Sequence, residues 1–404
     1  MTERGLRVLQ QDKTFFGKLT NTITKLLIPT KVGINGLLIH TKRMNVLKAF
    51  ENYINEANND ETIKKETLLK KYENMYALYL ESIDKYVMDS IYKKVKNDTA
   101  SAFEKNALSK YYSVVHLKET QYIEYKYRKQ KYLLELDYET IQVQNKEKLL
   151  KRYQAFYTDK MEGLYKKILK NYSIQLADNA STKDRKNEIY ELIFETLEEY
   201  IVSILPIKME LNNNTTCKEI LQEYDAFNGF LAGKLDERDV IEKKLLLLGI
   251  SRKLFTHSLP LIVAEQCYIK LLKDTRNLII NAKSEKKKNS AYEMLIKLIE
   301  DYNIKLLSTK IYWDKPQKRE EYKKFWEQYS NIQNKKEQHP DEYTKQKEIL
   351  FIKNDLKAVN KNSEKYKQII TFYKEKLVEL GIMKNIKNSY KTLNKRCVKK
   401  KIVA

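Results

Sequence analysis

Residues 60–97 read DETIKKETLLKKYENMYALYLESIDKYVMDSIYKKVKN, and within them Leu69, Tyr72, Tyr76, Tyr79, Ile83 and Tyr86 step by three and four. That spacing keeps side chains on one face of an α-helix, whereas a strand would scatter them over two faces. From Leu37 to Glu162 the chain contains neither Gly nor Pro, and only nine Gly and five Pro occur in all 404 residues. Strands need turns, and turns lean on those two residues, so a β-rich fold is excluded. The sequence predicts an all-α protein. Its expected parts are long helical hairpins, partly coiled-coil-like with tyrosine where leucine is usual, a compact helical core, and basic termini.

Punctuation divides the rest. Ser101 with Glu104, Thr216 with Glu219 and Ser290 with Glu293 have capping-box spacing and predict three helix starts. Gly33 and Gly36 predict a connector over 32–39, with helix resuming near Thr41. A helix from Ser101 to about Val143 is expected to break around Gln144–Lys146 and resume to Tyr172. Another runs from about Arg185 to Leu205 and stops before Pro206. A chain of this length is expected to form two or three units. Four segments follow from these marks: a basic N-terminal part (1–58), a Tyr/Lys-rich arm (59–180), an apolar helical core (181–310) and C-terminal helices with a basic tail (311–404).

Charge is distributed unevenly. Residues 13–50 hold Lys13, Lys18, Lys25, Lys31, Lys42, Arg43 and Lys48 and no acid. Residues 380–404 hold Lys384, Lys387, Lys391, Lys395, Arg396, Lys399, Lys400 and Lys401, again with no acid. These runs supply +15 of the formal +23, and residues 1–12 cancel, so the body between Glu51 and Glu379 carries only +8. Acid-free basic ends point to an anionic partner: lipid headgroups, nucleic acid or an acidic protein. In the first run, Phe15, Phe16, Leu19, Ile23, Leu26 and Leu27 fall at helical spacing, with Lys18 and Lys25 opposite or flanking. A basic amphipathic helix of this kind either lies in a membrane interface or docks on the body. The surface-binding residues expected from this pattern are Phe15, Phe16, Lys18, Leu19, Lys25, Lys42 and Arg43, with Lys384, Lys391, Lys395, Arg396, Lys399, Lys400 and Lys401 at the other end.

No motif announces catalysis. His40, His116, His257 and His339 lack partners at zinc-site spacing, so no metal or other cofactor is expected. His257 and Cys267 could meet as a nucleophile pair, but a buried Cys is more often a small hydrophobe. Gly229–Lys234 lacks the spacer and the Ser/Thr of a phosphate loop. Asp236, Glu237 and Asp239 read as an acidic helix start. Tyr122, Tyr125, Lys126, Tyr127, Arg128, Lys129, Lys131 and Tyr132 interleave rings and cations, as single-strand binders do. Tyr122, Tyr125 and Tyr132 also share a face with Leu136, as a packing seam would. Trp313, Tyr322, Phe325, Trp326 and Tyr329 suggest either helix packing or a partner hot spot.

Three scattered cysteines (Cys217, Cys267, Cys397) suit a reducing compartment. The most apolar stretch, Leu245–Ala264, is broken by Arg252, Lys253 and His257 and is not a bilayer span. The start shows no secretory pattern. A cytoplasmic setting, peripheral at the inner membrane face, is expected.

Phe230 to Lys234, Glu242 to Leu248, Ser251-Arg252, Pro260, Ile262 and Gln266 together resemble a stretch of the toxic-anion (tellurite) resistance family, over residues 224–276. The resemblance implies a helical, cytosolic protein of stress resistance, and it carries over no functional residue. The expected function is a non-enzymatic scaffold or adaptor that docks on an anionic surface. The alternative is a nucleic-acid-associated helical protein using the same basic ends.

Overall fold

The tyrosine seam is helical in the computed structural model, which describes residues 34–56, 62–143, 147–178, 182–212, 215–230, 236–254, 261–307, 316–358 and 364–381. Helix α1 spans Ile34–Glu56 and α2 spans Thr62–Tyr86, followed by a π turn at Val87–Ile91 and then α3 at Tyr92–Lys96. The buried face runs Tyr72, Tyr76, Tyr79, Ile83, Val87, Ile91. Its later steps are all four residues, longer than the 3.6 of an α-helix, so the face would drift around the axis. The wider π turn takes up the extra residue and returns Ile91 to the core. Leu69, at the start of the predicted seam, is exposed.

The remaining helices are α4 (Ala102–Val115), α5 (Leu117–Thr120), α6 (Tyr122–Val143), α7 (Glu147–Ala177), α8 (Lys183–Ser203), α9 (Leu205–Asn212), α10 (Thr215–Phe230) and α11 (Glu237–Leu254). They continue with α12 (Leu261–Asn281), α13 (Glu285–Asp301, then a π turn at Tyr302–Leu307), α14 (Pro316–Gln333), α15 (Pro340–Ala358) and α16 (Glu364–Glu379). No strand occurs among the described residues, and the all-α reading holds. Pro316 and Pro340 open their helices, where a missing N–H costs nothing.

Of the three capping-box spacings, the one at Ser101 forms. The Ser101 hydroxyl accepts from the Glu104 backbone N–H at 3.2 Å, and the Glu104 carboxylate accepts from the Ser101 backbone N–H at 2.9 Å. The other two expectations are corrected. Helix α10 has already begun at Thr215, so Thr216 is helical, and Ser290 lies inside α13. Ser284 is the residue with extended backbone (φ −141°) that accepts from the Lys287 N–H. In a Lys/Glu-rich helix the Ser-x-x-Glu spacing recurs by composition, and only the backbone of the first residue makes it a cap. The connector expected over 32–39 is also corrected from Ile34 onward, because α1 begins there and incorporates Gly36. Ser101→Ala is expected to lower stability by about 1 kcal/mol, with Ser101→Asp largely restoring it. Denaturant midpoints of the two variants check this.

The helices sort into two compact units. One comprises Met1–Asn171 and Tyr200–Cys217, the other Tyr172–Glu199 and Lys218–Ala404. Each therefore takes chain from inside the span of the other, with the crossings within α7, within α8 and within α10.

In the first unit, α1 packs on α2, and α6 on both α2 and α4. Its core is aromatic. Phe156 of α7 meets Phe50, Tyr72 and Tyr76 at centroid distances of 5.9, 6.3 and 5.9 Å, and Tyr138 stacks on Tyr157 at 4.4 Å. In the second unit, α12 packs against α11, α13 and α16, and α15 against α13, α14 and α16. Phe325, Tyr329 and Phe351 stack there at 6.0–6.3 Å, so the described part of the predicted aromatic group serves helix packing.

The same buried device occurs once in each unit. Arg43 pairs with Asp137, which also accepts from the Tyr79 hydroxyl. Arg276 pairs with Asp355, which also accepts from the Tyr373 hydroxyl. In both, the arginine Nε donates to Oδ2 at 3.2 Å while Nη2 donates to Oδ1. The chain order differs: Arg, Tyr, Asp in the first unit and Arg, Asp, Tyr in the second.

Candidate functional site

Arg43 places the candidate site. It sits on α1 with Val46, Leu47 and Phe50, whose burial fixes that helix face against α2. The same face carries His40 and Ile39, so one turn presents apolar and polar groups together. Asp137 comes from α6 between buried Leu136 and Tyr138. Tyr79 comes from the seam of α2. Three helices thus bring a cation, an anion and a phenol to one buried point.

A cavity of about 270 Å³ opens above that point, entirely within the first unit. Its floor includes His40, Arg43 and Asp137, with exposures of 7%, 4% and 4%. Its walls include Ile39, Ile83, Ile91 and Leu136. Leu37, Phe103 and Thr140 line it where the side chains reach solvent.

The electrostatics are balanced at the floor. Burial acts to lower the Arg43 pKa, but attraction to Asp137 outweighs it and the guanidinium is held charged. The Arg43 guanidinium carbon lies 5.9 Å from the Tyr153 ring centroid. Burial, reinforced by Asp137, pushes the Tyr153 phenol well above its ordinary range. At the rim, Glu104 is held low by Lys94 and the Ser101 cap against the opposing effect of burial.

A second cavity, in the second unit, has about 430 Å³ and is lined by Phe227, Leu245, Gly249 and charged side chains. Beside Glu223, the other four of those charges pair, Lys297 with Glu242 at 3.0 Å and Lys305 with Asp301 at 2.7 Å. Among the described residues no group of His, Cys, Asp and Glu is placed to hold a metal ion, and no helix is long and apolar enough to cross a membrane.

The residues expected from the sequence to bind a surface divide sharply. Phe15, Phe16, Lys18, Leu19, Lys25, Lys384, Lys391, Lys395, Arg396, Lys399, Lys400 and Lys401 lie outside the described residues. Lys42 is half-buried, its Nζ donating to the Leu78 carbonyl at 3.3 Å. Arg43 is a correction: it faces the core rather than a surface, because Asp137 supplies a counter-charge inside.

The aromatic–basic run of α6 is taken up within its own unit. Arg128 pairs with Glu124 and Lys129 with Asp84, both at 2.6 Å. Lys131 lies 5.3 Å from the Tyr165 ring centroid, and the Tyr132 hydroxyl donates to the Ala107 carbonyl. Tyr122 and Lys126, by contrast, are exposed. His257 is outside the described residues, and Cys267 is fully buried, its thiol pushed up to about 12 by burial. A thiol so raised is a poor nucleophile. Asp236 and Asp239 exchange backbone caps at 3.0 and 3.1 Å, which is the acidic helix start the sequence predicts.

The floor of the cavity escapes sequence reading. Arg43 and Asp137 are 94 positions apart and on different helices. The one available signal is that Asp137, unlike Glu135 and Glu139, falls at helical spacing from Leu133, Leu134 and Ile141, and an acid on an apolar face needs a partner. No family model, no curated protein and no solved structure matches the chain.

Proposed function

We propose that the protein is a non-enzymatic helical adaptor whose basic ends dock on an anionic surface, the inner membrane face, leaving the helical units to engage a protein partner. The observation that carries this reading is the contrast in how charge is used. Within the units, cations are balanced locally, as Arg152 with Glu51, Lys208 with Glu162, Lys244 with Glu191 and Lys347 with Glu300 illustrate. The acid-free runs 13–50 and 380–404 hold most of the net charge, and apart from Arg43, which meets Asp137 inside the first unit, their cations have no acid within their own run. A lysine near an anionic bilayer contributes about 1 kcal/mol, and the Phe15/Phe16 pair would add insertion energy that salt does not screen. The resemblance over 224–276 adds a setting in stress or toxic-anion resistance to this reading.

The full-length protein is expected to co-sediment with vesicles containing phosphatidylserine and not with neutral ones. Lys391→Glu/Lys395→Glu should weaken that binding roughly tenfold or more, and Phe15→Ser/Phe16→Ser should weaken what survives at high salt. If instead the phenylalanine change is silent, and the lysine change abolishes binding to nucleic acid with a steep salt dependence, the ends serve nucleic acid and the membrane reading falls.

A further inference from the structure

The first unit holds a guanidinium whose hydrogen-bonding capacity is only partly used. Arg43 is 4% exposed, and its Nε and Nη2 are engaged by Tyr79 and Asp137. Among the described residues nothing accepts a hydrogen bond from Nη1, on the far side of the fork. A guanidinium carries five N–H donors in fixed directions, so rotation cannot bring the remaining pair to Asp137. The Nη1 donors are not sealed inside the protein but open to the cavity that this arginine lines, between walls that include Ile39, Ile83, Ile91 and Leu136. Apolar walls with a few convergent polar groups are what small-molecule sites are made of.

We propose that the cavity formed by α1, α2, α4 and α6 binds a small, neutral, mostly apolar molecule that offers one hydrogen-bond acceptor to Arg43. The size follows from the volume. A cavity of about 150 Å³ holds benzene, so 270 Å³ suits a fused ring pair of roughly a dozen non-hydrogen atoms. The charge state follows from the balance at the floor and rim. Asp137 already neutralises Arg43, and Glu104 is paired with Lys94 at 2.6 Å. A carboxylate ligand would lose its hydration without meeting an unbalanced cation, whereas a carbonyl would not. Ile39, Ile83, Ile91 and Leu136 would cover the ring faces.

Three bicyclic probes test this by titration calorimetry on the full-length chain: coumarin, which is neutral with a carbonyl acceptor; naphthalene, which has none; and 2-naphthoate, which is an anion. Coumarin is expected to bind, naphthalene at least about tenfold more weakly, and 2-naphthoate no better than naphthalene. Thr140→Trp, which fills the cavity from its half-buried wall, should weaken coumarin at least about tenfold while leaving the helical circular dichroism and melting temperature in place. Leu37→Trp is the second blocking variant, should the first disturb folding. The proposal is overturned if none of the probes binds, if 2-naphthoate binds best, if naphthalene matches coumarin, or if a folded blocking variant binds coumarin unchanged.

Discussion

Above pH ~10 the protein is expected to unfold cooperatively, with tyrosinate absorbance rising in the same step as helical circular dichroism is lost. The cause is the tyrosine core. Tyr72, Tyr153, Tyr200 and Tyr373 are each at most 1% exposed, and burial pushes their phenols well above the ordinary range. Tyr190 and Tyr224 are pushed up to about 12, also by burial first. A phenol whose pKa is raised on folding binds its proton more tightly in the native state. Its contribution is therefore complete below the unfolded value of about 10, and it is lost as pH rises from there through the folded value. Each phenol that stays protonated in the native state costs about 1.4 kcal/mol of stability per pH unit in that window. At pH ~11 these four alone would together oppose folding by about 6 kcal/mol, comparable to the whole stability of a typical domain. Phenols titrating near their ordinary pKa with the helices intact would show that these rings are not sealed in the core.

The second large effect is expected at the arginine–aspartate pairs. Arg43→Ala leaves Asp137 buried beside Tyr79 with no counter-charge, which should cost about 3–5 kcal/mol. Arg276→Ala should do the same to Asp355. Replacing the whole device with apolar side chains of similar volume, as in Arg43→Met/Asp137→Leu/Tyr79→Phe, is expected to recover most of the loss, because no charge is then left unpaired. Denaturant midpoints of the singles and the triple decide this. A single substitution costing less than ~1 kcal/mol would mean that water reaches the carboxylate.

These experiments bear on residues of unequal visibility in the sequence. Helix was plain in the Gly- and Pro-free span and in the Tyr72–Ile83 spacing, since periodicity is a local property of the chain. The Ser101 cap was legible because Ser-x-x-Glu there follows a break at 97–101. The same spacing at Thr216 and Ser290 misled, because it falls within helices that had already begun. Arg43 counted as surface charge because an acid-free window is also local, and its partner arrives on a helix 94 positions later. The cavity is hidden for the same reason: α1, α2, α4 and α6 each show an apolar face, and nothing in any one of them says how closely the four approach. The division into units is equally non-local, since α7 and α8 are uninterrupted helices that change allegiance partway along.

That interleaving has a bearing on synthesis. The first unit needs Tyr200–Cys217, so it cannot close when the ribosome has delivered only its first 171 residues. At roughly 5–20 residues per second, the 46 residues from 172 to 217 take about 2–9 seconds to add. By then Tyr172–Glu199, which belongs to the second unit, has already been made and must wait for its own partners. During that interval its apolar positions, Ile189, Ile193, Phe194 and Leu197, have no finished neighbour to cover them. The nascent chain is therefore expected to engage general chaperones most strongly between about residue 172 and the arrival of the 218–404 helices. Ribosome profiling of chaperone-bound nascent chains would register that engagement as a single window.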